Sequence, residues 1–245
     1  MKTNRYQRRF YRDWVNAKDL HSAHIIKKET DIYVLTNKKM DKTIVEEKIY
    51  SLRWDIENYI DRDPRFLVAL KPIEVEIDAP LIIKKMATAA KSAGVGPMAT
   101  VAGAVAESVG QELVKNGYKD VIIENGGDIF IKTTKSRLIG IYAGRSKLWN
   151  KLKIKIKPKD SPLGICTSSG TIGHSLSFGV ADCVVILSKD AILADAVATA
   201  CANRVHSKGD LQGALDFARA IKGVTGVVVI LKNNLISWGN VQFEK

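Results

Sequence analysis

Long apolar runs are missing from this chain. The longest clean ones, such as Val227 to Leu231, are strand-sized and fall far short of a bilayer span. Cysteine is scarce: Cys166, Cys183 and Cys201 stand apart without CxxC spacing, which excludes a disulfide framework and a cysteine zinc site. There is no Ser/Pro-rich linker, no low-complexity tract and no internal repeat, which favours one continuous domain. The first residues carry Lys2, Arg5, Arg8, Arg9 and Arg12 with no apolar stretch behind them, unlike a secretory signal. The expectation is a cytoplasmic protein that does not enter a membrane. Residues 1–20 read as a basic and aromatic arm, and residues 21–245 as a single domain.

What is present is enough to build a core: 245 residues, 46% of them hydrophobic. The formal charge is +12, which suits an anionic partner, with a phosphorylated small molecule, nucleic acid and anionic lipid all open. Basic residues are densest from Arg145 to Lys159, where Lys151, Lys153, Lys155, Lys157 and Lys159 alternate with Leu152, Ile154, Ile156 and Pro158. Period two predicts a strand with one lysine face, either an edge strand guarded against aggregation or a phosphate-attracting rim. The arm mixes arginine with Tyr6, Phe10, Tyr11 and Trp14. That pattern could stack on bases, but a docking tail or subunit contact ranks ahead of it, because no nucleic-acid recognition fold is evident.

Apolar periodicity gives the coarse layout. Strands are expected at Ala23–Lys28 and Ile32–Thr36, then a helix over about 41–60, and a half-buried strand at Ile73–Ile77. Helices over about 80–93 and 97–117 follow, the second rich in Ala and Gly, including Gly103, a composition suited to close approach. Next come strands at Asp120–Glu124, Asp128–Thr133, Arg137–Ala143, Lys151–Lys157, Gly164–Thr167 and Ala181–Leu187. Helices over 191–205 and 210–221 lead to two last strands, Val224–Leu231 and Leu235–Trp238, around Lys232-Asn233-Asn234. Elements arriving in blocks predict an α+β protein, with helices packed on largely antiparallel sheets.

Four segments put polar or flexible residues where a core pattern expects apolar ones. Glu124-Asn125-Gly126-Gly127-Asp128 is a hairpin turn flanked by carboxylates, which bare backbone could turn into a ligand site. Cys166-Thr167-Ser168-Ser169-Gly170, with Gly173-His174-Ser175 beyond it, is either a polar surface loop or an anion cradle with an acid/base His174. Asp195 and Thr199 lie one helical turn apart, so their oxygens could face a cation such as Mg²⁺. A helix-dipole Asp with a back-bonding Thr accounts for the same spacing. Gly94-Val95-Gly96-Pro97 precedes a helix, where free N–H groups favour phosphate, although a simple helix-entry turn looks the same.

In this order the segments resemble the ApbE superfamily, whose typical members are FAD:protein FMN transferases. The resemblance lies in the Gly96 to Gly110 helix, Gly126-Gly127-Asp128, Thr167 to Gly170, His174 and the helix Ala194-Asp195-Ala196-Val197-Ala198-Thr199. Arg65-Phe66, Gly94 to Met98, Glu124 to Asp128 and Cys166 to Gly170 are similar to a shorter ApbE-like branch found in archaea and some bacteria, over nearly the whole chain. The resemblance implies an ApbE-like (T-fold-like) α+β domain. It implies Mg²⁺ on Asp195 and Thr199 with a backbone carbonyl from the glycine-rich helix region, and His174 and Asp195 as catalytic residues. Gly96, Gly126, Gly127, Asp128, Thr167, Ser168, Ser169 and Gly170 would line a pocket for FAD or another phosphorylated nucleotide. The partner would be an acceptor protein whose Ser or Thr receives FMN. The alternative implied is a non-catalytic or auxiliary protein of sulfide assimilation toward homocysteine, with a sulfur-pathway protein as partner. A homo-oligomer is left open. The chain departs from the transferases after His174, where Ser175-Leu176-Ser177-Phe178-Gly179 replaces an Ile-Asp-Pro segment, and Gly96-Pro97-Met98 replaces a Lys-Gly helix start.

Overall fold

The structure is a computed structural model, and it describes residues 18–143, 146, 152–170 and 178–244. His174, the arm up to residue 17 and much of the basic stretch lie outside the described residues. An eight-stranded antiparallel sheet runs β1 (His21–Lys27), β2 (Thr30–Thr36), β3 (Val121–Asn125), β4 (Asp128–Lys132), β7 (Leu163–Ser168), β8 (Cys183–Ser188), β9 (Val224–Leu231) and β10 (Asn234–Gly239). The α+β expectation, helices on largely antiparallel sheets, is therefore met.

Both faces of the sheet are covered. On one face lie α1 (Lys42–Arg62), α3 (Leu81–Ala93), α4 (Val101–Lys115), α5 (Ala191–Ala202) and α6 (Leu211–Ala220), packed on Val34, Ile123, Phe130, Val184, Ile186 and Val229. On the other lies a three-stranded sheet in the order β11 (Phe243–Glu244), β6 (Lys153–Ile156), β5 (Arg137–Gly140). Its Ile139, Ile154 and Ile156 pack on Ile131, Ile165 and Val185. Two covered faces explain why β8 is buried at every position and why β9 is an unbroken, buried apolar run from Val227 to Leu231. Among the described residues no helix is long and apolar enough to cross a membrane.

Several expectations change. Ile73–Ile77 alternates like a strand but pairs with none among the described residues. Ile73 and Val75 rest on the helical core, while Glu74 and Glu76 pair outward with Lys91 and Arg62. The alternation reports a one-sided contact without a ladder. β6 is the middle strand of its sheet, so its lysines guard no edge, and Lys155 pairs with Glu244 of β11 at 2.8 Å. Pro97–Thr100 forms a 3₁₀ turn before α4, and a short helix, α2 (Arg65–Val68), lies where only a break at Pro64 was expected. The first hairpin turns at Lys28-Glu29, with Lys28 at φ 51°, so Thr30 and Asp31 belong to β2.

Every residue of α5 is buried, since it lies on β7 and β8 and beside α3, α4 and α6. A helix enclosed this way must be apolar or small all round, and Ala191-Ile192-Leu193-Ala194-Asp195-Ala196-Val197-Ala198-Thr199-Ala200-Cys201-Ala202 is, save two residues. Its first-turn amides are all satisfied. Asp190 Oδ1 accepts from Ile192 and Leu193 N–H at 2.9 and 3.0 Å, the Asp190 carbonyl accepts from Ala194, and Glu107 of α4 accepts from Ala191.

Candidate functional site

The exceptions on α5 are Asp195 and Thr199. Each is 8% exposed, and one helical turn separates them. Asp195 Oδ2 accepts the Gly103 amide of α4 at 2.9 Å. The helices meet closely because Gly103 has no side chain: a Cβ there would sit 2.4 Å from the Ala191 carbonyl oxygen and 2.9 Å from Asp195 Cβ. Gly164 of β7 makes the same allowance on the other side, where a Cβ would lie 2.4 Å from Ala191 Cα. The Thr199 hydroxyl has no hydrogen-bond partner among the described residues, so the back-bonding that its spacing allowed is not what it does.

The β3–β4 hairpin brings a second carboxylate. Gly126 and Gly127 have φ of 68° and 104°, the two positive values that a tight two-residue hairpin needs and that glycine adopts without strain. Glu124 Oε1 accepts the Gly127 amide at 2.9 Å and so staples the turn. Glu124 pairs across the hairpin with Ile129, and Asp128 pairs with Asn125. The period of two therefore puts the flanking carboxylates on opposite faces of the sheet, and Asp128 takes the helical face near Asp195. Asp128 Oδ1 accepts the Thr167 amide at 3.2 Å, and Asn125 Nδ2 donates to the Ala102 carbonyl of α4 at 3.2 Å. The Cys166 thiol lies beside Asp128 and donates to the Ala191 carbonyl at 3.3 Å.

Burial dominates the electrostatics. It pushes the Asp195 carboxyl up to about 7, against the pull of the Gly103 and Ala102 amides. It raises Asp128 well above the usual carboxylate range, and the nearby Asp195 charge adds to the effect. Burial likewise lifts the Cys166 thiol well above its ordinary range, so this cysteine is no thiolate nucleophile. No ion pair among the described residues includes Asp128 or Asp195. Nor does any group of three or more His, Cys, Asp and Glu among them form a metal cluster.

The remaining predicted residues fall close by or apart. A Cβ on Gly127 would stand 3.8 Å from Thr167, so the glycine turn and the end of β7 are neighbours. Ser168 is buried, Ser169 Oγ donates to the Ala181 carbonyl at 3.5 Å, and Gly170 N donates to the same oxygen at 2.9 Å. Gly170 also packs tightly: a Cβ there would lie 2.0 Å from the Gly179 carbonyl. Gly96 packs on α2, where a Cβ would meet the Ala69 carbonyl at 1.7 Å. It is Gly103, one helical segment later, that touches Asp195. In the sequence Gly103 stands only as part of a small-residue helix, Asn125 only as one residue of the hairpin turn, and Glu107 in no motif. The available signal was the Gly103–Glu107 spacing on α4, which matches the Ala191–Asp195 spacing on α5.

An eight-stranded antiparallel sheet with a fully buried Asp/Thr helix laid on β7 and β8, near the Gly126-Gly127 turn, defines a protein of the ApbE-like fold. Solved structures agree. Flavinyl transferase ApbE from Pseudomonas stutzeri, in its apo form, superposes with a TM-score of 0.58 at 11% identity, covering 90% of this chain and 94% of that one. Flavin transferase ApbE from Vibrio cholerae gives 0.58 at 12% identity, covering 90% and 97%. Residues 12–241 match the family described as AbpE bacteria, and the chain belongs to that family. It is 42% identical over 217 residues to UPF0280 protein MJ1526 of Methanocaldococcus jannaschii, covering 86% of this chain and 87% of that protein. It is also 42% identical over 218 residues to a UPF0280 protein of Methanospirillum hungatei, covering 89% and 87%.

Proposed function

We propose that this protein is a magnesium-dependent transferase acting on a flavin or a related phosphorylated nucleotide, with Asp195 and Thr199 holding the cation. The observation that carries the reading is the nearness of Asp128 to Asp195. They are two buried carboxyls without a basic partner among the described residues, beside a hydroxyl that is also unpartnered there. Carboxylate and hydroxyl oxygens on one helix face are the hard donors that Mg²⁺ takes, and that ion needs few protein ligands because it keeps waters and phosphate oxygens. When bound, the ion would supply charge neutralisation for a diphosphate.

The chain's own residues divide the remaining work. The Gly103 amide fixes one Asp195 oxygen and leaves the other for the cation. The Thr167 amide fixes Asp128. The side-chain-free Gly126-Gly127 turn, beside Thr167, gives a flat ligand bare backbone to lie against. Ser168, Ser169, Gly170 and His174 would border the diphosphate and flavin. The flavin is favoured because the solved proteins of this fold are named flavinyl and flavin transferases. An acceptor protein with a reactive Ser or Thr would complete the reaction.

The test is FAD fluorescence at micromolar protein, with and without Mg²⁺, followed by an in-gel search for flavin attached to a Ser/Thr-bearing acceptor. The expected result is an Mg²⁺-dependent change that Asp195→Asn abolishes. An FAD signal indifferent to protein and Mg²⁺ rules the reading out.

A further inference from the structure

Two hydrogen bonds of opposite sense join α4 to α5. The Gly103 amide of α4 donates to the Asp195 carboxyl of α5 at 2.9 Å. The Ala191 amide of α5 donates to the Glu107 carboxyl of α4 at 2.6 Å. Going forward by one turn on α4, from Gly103 to Glu107, is going back by one turn on α5, from Asp195 to Ala191. The helices are thus antiparallel, and the two bonds sit about 6 Å apart along them. Each helix lends one backbone amide and one carboxyl.

Ala191 is where the two bonds act on each other. Its amide is held by Glu107, its carbonyl oxygen faces the gap left by the missing Gly103 side chain, and its Cα faces the same gap at Gly164. Glu107 is itself buried and is steadied by Gln111, whose Nε2 donates to Glu107 Oε1 at 2.9 Å. Asp190 already caps the next two amides of α5, so Glu107 satisfies only the Ala191 amide at the start of the helix. What it adds is a tie between α5 and α4 in one register.

We infer that Glu107 is a positioning residue for Asp195: by holding Ala191 it sets α5 against α4 so that the Asp195 carboxyl meets the Gly103 amide and turns its free oxygen to the cation. This rests on the reading that Asp195 binds a cation. An error of about 1 Å in such a placement is enough to weaken a site strongly.

Mn²⁺ alone serves as the probe, counted free and bound by electron paramagnetic resonance, with hydrogen exchange of the Gly103 amide measured in ¹⁵N-labelled full chain. In Glu107→Ala, Gly103 exchange is expected to rise and Mn²⁺ affinity to fall, each by about tenfold or more, the scale of an outer-shell loss. Glu107→Gln keeps a carbonyl oxygen at the same reach and is expected to stay within about threefold of wild type, since the amide bond it keeps is the one that matters. If Glu107→Ala does not fold, Glu107→Asp, one methylene too short to reach, takes its place with the same expectation. Gly103 exchange and Mn²⁺ affinity both unchanged in the variant, whatever its melting temperature, would overturn the inference. Wild type that ignores Mn²⁺, or Asp195→Asn that binds it normally, would instead sink the cation reading, and Gly103 exchange alone would then decide the role of Glu107.

Discussion

The Gly103 amide and the Asp195 carboxyl, 92 residues apart in sequence, are joined by a 2.9 Å hydrogen bond across a helix contact with no room for a methyl group. Gly103→Ala must push either Ala191 or Asp195 away. The expected cost is about 1–3 kcal/mol in urea denaturation, as for other overpacked cores. Mg²⁺-dependent FAD binding should fall further than the stability loss explains, because the bond that orients Asp195 is broken.

Thr199 separates a ligand from a structural hydroxyl. Its hydroxyl has no partner among the described residues, so Thr199→Val should leave the melting temperature within about 2 °C, a shift of no more than about 1 kcal/mol in a chain of this length. The same variant should lower Mg²⁺-dependent FAD affinity by about tenfold, while Thr199→Ser, which keeps the oxygen, should restore most of it. Equal binding by the Val and wild-type proteins would remove Thr199 from the site.

Asp195 gives stability a pH dependence. Its carboxyl goes up to about 7 in the folded protein from an ordinary 3.8, so the folded state holds this proton more tightly than the unfolded chain does. The contribution is whole below about pH 4, declines as pH rises through 7, and is gone above it. Wild type should lose on the order of 2–4 kcal/mol between pH 4 and pH 9 from this group, and Asp195→Asn should flatten the curve. Mg²⁺ should raise the melting temperature of wild type more at pH 8 than at pH 5.5, because protons compete for the same oxygens, and should do nothing for the Asn variant.

Arg137 makes a different kind of test, of the fold alone. Its guanidinium is 4% exposed and pairs with Asp19 ahead of β1 and with buried Asp120. Arg137→Ala would leave Asp120 buried and less compensated, at an expected cost of about 3 kcal/mol or more. Asp19 is 43% exposed, so Asp19→Ala should cost under about 1 kcal/mol. Chemical denaturation of both variants checks the contrast.

The buried thiols predict silence. Burial pushes Cys183 and Cys201 up to about 12, and Cys166 rises as well. Native protein should react with Ellman's reagent at pH 8 only as fast as it unfolds, and all three cysteines should titrate in guanidinium.

Most of the elements were legible in the residue pattern, because each rests on a local period. Alternation marked the strands, the small-residue run marked α4, the Gly-Gly pair marked the β3–β4 turn, and the Ala-Asp-Ala-x-Ala-Thr run marked α5. It also put Asp195 and Thr199 on one helix face, since four residues make about one turn. Which carboxylate comes near Asp195 depends on the strand pairing in the folded chain. Glu124 and Asp128 look alike beside the same turn, yet strand register sends one to staple Gly127 and the other to the helical face. Tertiary packing likewise left Ile73–Ile77 without a strand partner among the described residues and made β6 a central strand, because alternation says nothing of what pairs at the edges. The contact of Gly103 with Asp195 joins residues with no local link, and nothing short of packing α4 on α5 could place the amide against the carboxyl.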